Sequence, residues 1–389
     1  MDIKALSEKY FNDYAAIRRH LHMYPELSTQ EYKTQAYIKE QLDKLNIPYQ
    51  EMADTGVVAL IEGGHPGKTV MLRADIDALP IQEETSVEYK STIDGISHAC
   101  GHDGHVGGVF GAAMILNEIK DQLHGNVKLM FQPAEETVGG AKRMIEAGIL
   151  ENPKVDAAFG IHLRGQLDQG IVGYKDGAMM ASIDEFDIKI IGKGAHAAHP
   201  QLGIDPIVIA ADTIAELQNI VARKIKANEA AVISVTDINS NTNAYNVIPQ
   251  EVALKGTIRT LNEDIKKQIP PLIENVLKGQ SIANGSTYEF QLRSDLPVLF
   301  NNKETNKIAV KAMEKVIGKE NILELDDASM GGEDFAFVCQ EVPTTYLFVG
   351  INRDNINPVH HHPAFQWDDS ALKISASVLA QCAIDYLNN

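Results

Sequence analysis

The run VKLMFQPAEETVGGAKRMIEAGILENPKVDAAFGIHL, from Val127 to Leu163, decides how this chain is read. VKLMF is an apolar run of strand length. GGAKRMIEAGIL is helical, and VDAAFGIHL is a second apolar run. Strand, helix, strand is the unit from which parallel sheets are built. Two more runs precede it, VVALIEG at 57–63 and TVMLRADID at 69–77, and the helical VGGVFGAAMILNEIKDQL occupies 106–123. The expectation is an α/β domain with a largely parallel sheet. Such sheets bind ligands beyond the carboxyl ends of their strands. The opening run puts Glu135, Glu136 and His162 at two of those ends.

Working outward, the N-terminal side is helical from Asp13 to Ile47. Tyr32, Ala36, Ile38, Leu42 and Leu45 fall roughly on one face there. On the C-terminal side the pattern changes near Ala181. EFDIKIIG alternates as a strand, DPIVIAADTIAELQNIVARK is a helix, and AAVISVTDI and VALKGTIRTL are strands. EDIKKQIPPLIENVLKGQ is a helix with a Pro-Pro interruption, and TYEFQLRSDL closes as a strand. This β-α-β-β-α-β order is the ferredoxin-like signature. The chain of 389 residues is too long for one ordinary core. The expected division is a catalytic domain of residues 1–180 and 295–389, with residues 181–294 inserted into it.

A net charge of −18 argues against nucleic acid as a partner, because that binding rests on Lys and Arg neutralising phosphates. No apolar run reaches the length of a membrane span, so no membrane partner is expected. The first residues, MDIKALSEKYFNDYAAIRRH, lack the apolar core of a signal peptide, which places the protein in the cytoplasm. The three cysteines, Cys100, Cys339 and Cys382, are odd in number and far apart, so a disulfide framework is not expected.

Four stretches carry chemistry. In SHACGHDGHVGG (97–108), Cys100 and His102 could face one metal if Gly101 makes a sharp turn, or the stretch is merely a polar turn. Glu135 and Glu136 could divide the work of ligand and general base, or form a solvated acidic helix start. His162 could be a ligand or a satisfied core histidine. Of His360, His361 and His362, one could ligate while its neighbours support it. Cys, His and Glu together suit Zn²⁺, Mn²⁺ or Co²⁺ better than Mg²⁺. Five ligands exceed one tetrahedral site, and a pair of ions sharing a ligand would use them. GKGAHAAHPQLGIDP in the inserted domain adds His196 and His199.

LRADIDALPI (72–81), HACGHDGH (98–105), FQPAEE (131–136), GIHL (160–163), GKGAHAAHP (192–200), NVIP (246–249), GTIRT (256–260), GGEDFAF (331–337) and HHPAF (361–365) occur in this order. With them the chain resembles the dinuclear metallo-amidohydrolases of aminoacylase, hippurate hydrolase and auxin-conjugate hydrolase type, a group that includes N-acetyldiaminopimelate deacetylases. The resemblance implies a metallopeptidase-like catalytic domain with an inserted lid and dimerisation domain. It implies two divalent metal ions per subunit, Zn or Mn, with Co or Ni also usable. Cys100, His102, Glu136, His162 and His361 match the ligands, with Cys100 as the bridge. Glu135 matches the general base. His196 matches a histidine that reaches a neighbouring subunit's site to stabilise the oxyanion, which requires a homodimer or higher homo-oligomer. Asn246 and Arg259 match groups near the substrate carboxylate. Asp75 lies where related peptidases carry His-x-Asp, and here Arg73 takes the histidine's place.

Three departures from the group stand out. Val106 and Gly107 replace the common Thr and Ala. HLRGQLDQG lacks a proline usual in that loop. Gly104 stands where acetyldiaminopimelate deacetylases tend to have Leu, which counts against that substrate. The implied activity is hydrolysis of a small-molecule N-acyl amino acid to a carboxylic acid and a free amino acid. The alternatives are a dipeptidase or aminopeptidase, or an N-acetyldiaminopimelate deacetylase, at the same site. A non-catalytic scaffold would lose the base, and Glu135 is present. A redox sensor at Cys100 fits poorly with histidines flanking the thiol.

Overall fold

A computed structural model describes residues 2–137, 139–354, 356 and 358–389, with Ser294 and Asp295 described by their backbone alone. The chain forms two compact units, one of Met1–Met179, Phe300–Asp327 and Asp334–Asn389, the other of Met180–Leu299 and Ala328–Glu333.

The first unit is built on an eight-stranded sheet. The strands His124–Gln132, His65–Asp75, Ala157–Asp168 and Thr344–Asn352 lie side by side in that order and all run parallel. Antiparallel strands flank them, among them Gly56–Glu62 beside His124–Gln132. Alternation along a strand sends neighbours to opposite faces. Val70, Leu72 and Ala74 join the large core cluster, while Arg73 and Asp75 are buried on the other face. The helices Ile3–Met23, His102–Glu118 and Ala371–Leu387 pack on one another, and the latter two also on the His65–Asp75 strand. Small residues let them approach: a Cβ on Gly111 would lie 2.5 Å from the Ala376 side chain. Each large apolar side chain sealed in this core, such as Phe110 or Leu379, contributes roughly 1.5–3 kcal/mol.

The N-terminal helical region is two helices, Ile3–Met23 and Tyr32–Lys44. Ile38 and Leu42 are fully buried, but Tyr32, expected on the same face, is exposed at the first position of its helix.

The second unit has four strands in the order Ala231–Asn239, Glu251–Thr260, Ser182–Ile191, Thr287–Leu296, every neighbour antiparallel. With the helices Pro206–Arg223 and Glu263–Asn284 this is the ferredoxin-like arrangement. The expected Pro-Pro interruption does not occur, and the second helix runs through Pro270 and Pro271. Ile265, Ile269, Ile273 and Leu277 hold its apolar face against the sheet core, and Pro271 faces solvent. Burial of that stripe outweighs the lost backbone hydrogen bonds. Residues 328–333 join this unit because the Ala181 amide donates to both Ser329 and Gly331, and Gly332 packs against Ile183 and Leu296.

Candidate metal centre

Cys100, His102, Glu135, Glu136, His162 and His361 all lie in the first unit, and the fold gathers them. The turn from Cys100 to His102 needs Gly101 at φ +97°, the left-handed region glycine tolerates, where it caps the helix His102–Glu118. His162 lies within the Ala157–Asp168 strand, two residues past Gly160, which pairs with Arg73. It is therefore level with Asp75 at the carboxyl end of the neighbouring strand. Glu135 and Glu136 follow the strand that ends at Gln132. Ala134, just before them, adopts φ +51° and turns the chain out of the strand direction. The chain then bends at Glu135 and turns at Glu136, so the two carboxylates do not follow strand alternation.

Two triads of donor atoms share one sulfur. Cys100, His102 and His162 form one, and Cys100, Glu136 and His361 the other, with the donor atoms of each within 4.8 Å of one another. Glu135 closes a third group with His102 and Glu136. The thiol of Cys100 lies 3.6 Å from His162 Nε2. Glu136 Oε1 lies 3.7 Å from His102 Nε2 and 3.5 Å from His361 Nε2.

The imidazoles are aimed. His102 Nδ1 donates to the Asp77 carbonyl at 2.9 Å, which leaves Nε2 facing the cluster. His162 Nδ1 donates to the Leu163 carbonyl at 2.6 Å. Both are the tautomers a metal ligand needs. His102 Nε2 and Glu136 Oε1 are buried with no hydrogen-bond partner. Orphaned buried donors and acceptors are costly unless something binds them. A thiol, imidazoles and a carboxylate meeting on two such atoms fit divalent metal.

The histidine triplet divides its tasks. His360 turns inward, its Nδ1 donating to the Cys100 carbonyl and its Nε2 accepting from the Gly165 amide, both at 3.2 Å. Burial pushes its pKa down to about 3, so it is a neutral buttress. His361 adopts φ +57°, which turns its ring to Glu136. His362 Nδ1 accepts from the Ala364 amide at 3.0 Å.

Sequence reasoning missed Asp77 and gave Asp75 and Arg73 no partner. The Asp77 carbonyl orients His102, and its carboxylate accepts from the Glu136 amide at 3.0 Å and Ser28 Oγ at 2.7 Å. It thus ties two ligand-bearing segments together. Asp75 accepts from His105 Nδ1 at 2.6 Å and pairs with Arg73 at 2.9 Å. Burial alone would raise the Asp75 carboxyl, but Arg73, His102 and His105 outweigh it and hold it well below the usual carboxylate range. Arg73 is fully buried and also meets Gln132 at 2.8 Å and Asp334 at 3.3 Å. Three polar residues in one strand-end motif, LRADID, were the signal for this layer.

Burial also raises the Cys100 thiol, helped by Glu136, and raises Glu136 itself, while it drives His162 well below its ordinary value. Burial likewise opposes the charge on His102, but Asp75 and Cys100 outweigh it and raise that group.

His196, Asn246 and Arg259 belong to the second unit. His196 is exposed and pairs with Val247, and the Asn246 carbonyl accepts from the Ala197 amide at 2.9 Å, so these two are neighbours. Arg259 is half-buried, donates to the Met330 carbonyl at 3.2 Å and pairs with Ile183. Asn246 lies beyond the Glu251 end of the sheet and Arg259 near its other end, about 26 Å of strand away.

A family model described as "Peptidase family M20/M25/M40" matches residues 71–385. The chain belongs to this family. It is a hydrolase of amide bonds. An N-acetylcysteine deacetylase of Bacillus subtilis is 39% identical over 373 residues, covering 95% of each chain. An N-acyl-L-amino acid amidohydrolase of Geobacillus stearothermophilus is 42% identical over 292 residues, 75% of this chain and 78% of the other. Among solved structures, the Bacillus subtilis YXEP protein, a dinuclear metal-binding peptidase of the M20 family, is 36% identical. It has a TM-score of 0.86 and covers 98% of this chain and 99% of that one. Within this M20-family chain, Gly104 is closed to larger residues: a Cβ there would lie 2.4 Å from the Trp367 ring. No helix among the described residues is long and apolar enough to cross a membrane.

Proposed function

We propose that this protein hydrolyses the amide bond of N-acyl amino acids, releasing a carboxylic acid and a free amino acid. The observation that carries the reading is the pair of donor triads sharing Cys100, with Glu135 beside them. Cys100, His102, Glu136, His162 and His361 would hold two divalent ions, zinc or manganese, with Cys100 common to both donor sets. When bound, the ions supply Lewis acidity that polarises the amide carbonyl and acidifies the attacking water.

The chain's own groups do the rest. Glu135 takes the proton of the attacking water and passes it to the leaving nitrogen. Asp77 and His360 hold the ligand segments so that Glu135 keeps its place. His196 donates to the oxyanion as it develops. Arg259 pairs with the substrate's α-carboxylate and Asn246 adds a polar contact. The distance between Arg259 and the His196–Asn246 pair supports a homodimer in which two copies complete each site. Three free cysteines, one of them in the cluster, support a reducing compartment, the cytoplasm.

The test is relative kcat/KM on N-acetyl amino acids, benzoylglycine and free-amine dipeptides, measured with the dimeric fraction. Acylated substrates are turned over best, and chelation abolishes the activity. A dipeptide turned over better, or full activity in a monomer, contradicts the reading.

A further inference from the structure

His162 and Arg164 point to the same face of their strand, while Leu163 between them is buried in the core. Both lean on Phe348, which pairs with His162 across the sheet. The His162 ring meets Phe348 edge-on at 6.5 Å, and the Arg164 guanidinium lies 4.8 Å from the ring centre. Two residues past His162 on the same strand face, Arg164 stands about 7 Å along the strand from that side chain, at the edge of the candidate metal cluster. The backbone beside it is fixed. The Gly165 amide donates to His360, and a Cβ on Gly165 would lie 1.9 Å from the Pro358 carbonyl oxygen.

Buried Lys128 is satisfied by three backbone carbonyls, and the other buried Lys and Arg side chains have acids. Arg18 has Asp103 and Asp369, Arg73 has Asp75 and Asp334, and Lys266 has Asp184. Arg164, half-buried in a chain with 53 acidic against 35 basic residues, pairs with no carboxylate among the described residues. An unpaired guanidinium withdrawn from water is costly unless an anion arrives. Its planar fork matches a carboxylate with two parallel hydrogen bonds.

We infer that Arg164 is a specificity residue that receives a second carboxylate of the substrate, in addition to the α-carboxylate. The substrate class is then a dianionic N-acyl amino acid, and this rests on the proposed hydrolytic reading. The second carboxylate sits either on the acyl group or on the amino-acid side chain, and two size-matched pairs distinguish these. N-succinyl-L-alanine is compared with N-butyryl-L-alanine, and N-acetyl-L-glutamate with N-acetyl-L-glutamine.

With metal-loaded enzyme, the dianion of one pair is preferred by about tenfold or more in kcat/KM. Arg164→Gln brings that ratio close to unity, and Arg164→Lys keeps part of it. Calorimetry with the free products, succinate against butyrate and glutamate against glutamine, gives the same preference and the same loss. Absence of any preference, or one that survives Arg164→Gln, or an equal loss on every substrate, overturns the inference. Failure of all four substrates with the calorimetric preference intact counts against the hydrolytic reading and for Arg164.

Discussion

Glu135 and Glu136 are chemically identical neighbours, and only the backbone gives them different surroundings. The chain leaves the strand at left-handed Ala134 and turns at Glu136, whose Oε1 faces two imidazoles. Cys100 is the atom on which the proposed pair of ions depends, since both donor triads contain it. Cys100→Ser replaces a soft thiolate with a hydroxyl that ionises far less readily. Metal analysis of the variant then falls from about two ions per chain to about one or fewer. Retention of both ions after the substitution contradicts a bridging thiolate. The residue types of this site were legible in the sequence because Cys, His and paired Glu recur at strand ends. Their division of labour was not. Nothing in the string HHH tells that His360 turns in to brace Cys100 while His361 adopts φ +57° to face Glu136.

At the scale of elements, the helix His102–Glu118 carries the site and is anchored by charge. Asp103 in its first turn accepts from Arg18 at 2.6 Å and His22 at 2.9 Å, and Arg18 also reaches Asp369 at 2.8 Å. Arg18 stacks over the Trp367 ring at 4.2 Å. Burial alone would raise the Asp103 carboxyl, yet Arg18 and His22 hold it far below the usual range. A carboxylate depressed in the folded state stabilises above its unfolded pKa of about 3.9, and that stability is lost as pH falls further. Asp103→Asn therefore lowers stability at pH 7 by about 1.5–3 kcal/mol, since it removes one of the two carboxylates that hold buried Arg18. The gap between variant and wild type narrows below about pH 4. Equal denaturation midpoints at pH 7 contradict this. The helix itself was legible, but its anchor joins residues 85 and 351 positions apart, and no local pattern announces such a pair. The helix through Pro270 and Pro271 teaches the same limit. Local propensity expected a break, and the buried face of Ile265, Ile269, Ile273 and Leu277 overrode it.

At the scale of the whole molecule, strand alternation and helix order change abruptly near Ala181 in the sequence, and the second compact unit begins at Met180. The return of residues 328–333 to the inserted unit was not legible. It depends on the Ala181 amide finding Ser329 and Gly331 across more than a hundred residues of chain. The function proposed for the molecule comes down to one proton acceptor beside one metal centre. The direct measurement is metal content and kcat of Glu135→Gln on an N-acetyl amino acid. The amide is near-isosteric with the carboxylate and ligates nothing in the proposed centre. Metal content is expected to stay at the wild-type level while kcat falls by about 10²–10⁴-fold. A fully loaded Glu135→Gln enzyme with wild-type kcat would contradict the account.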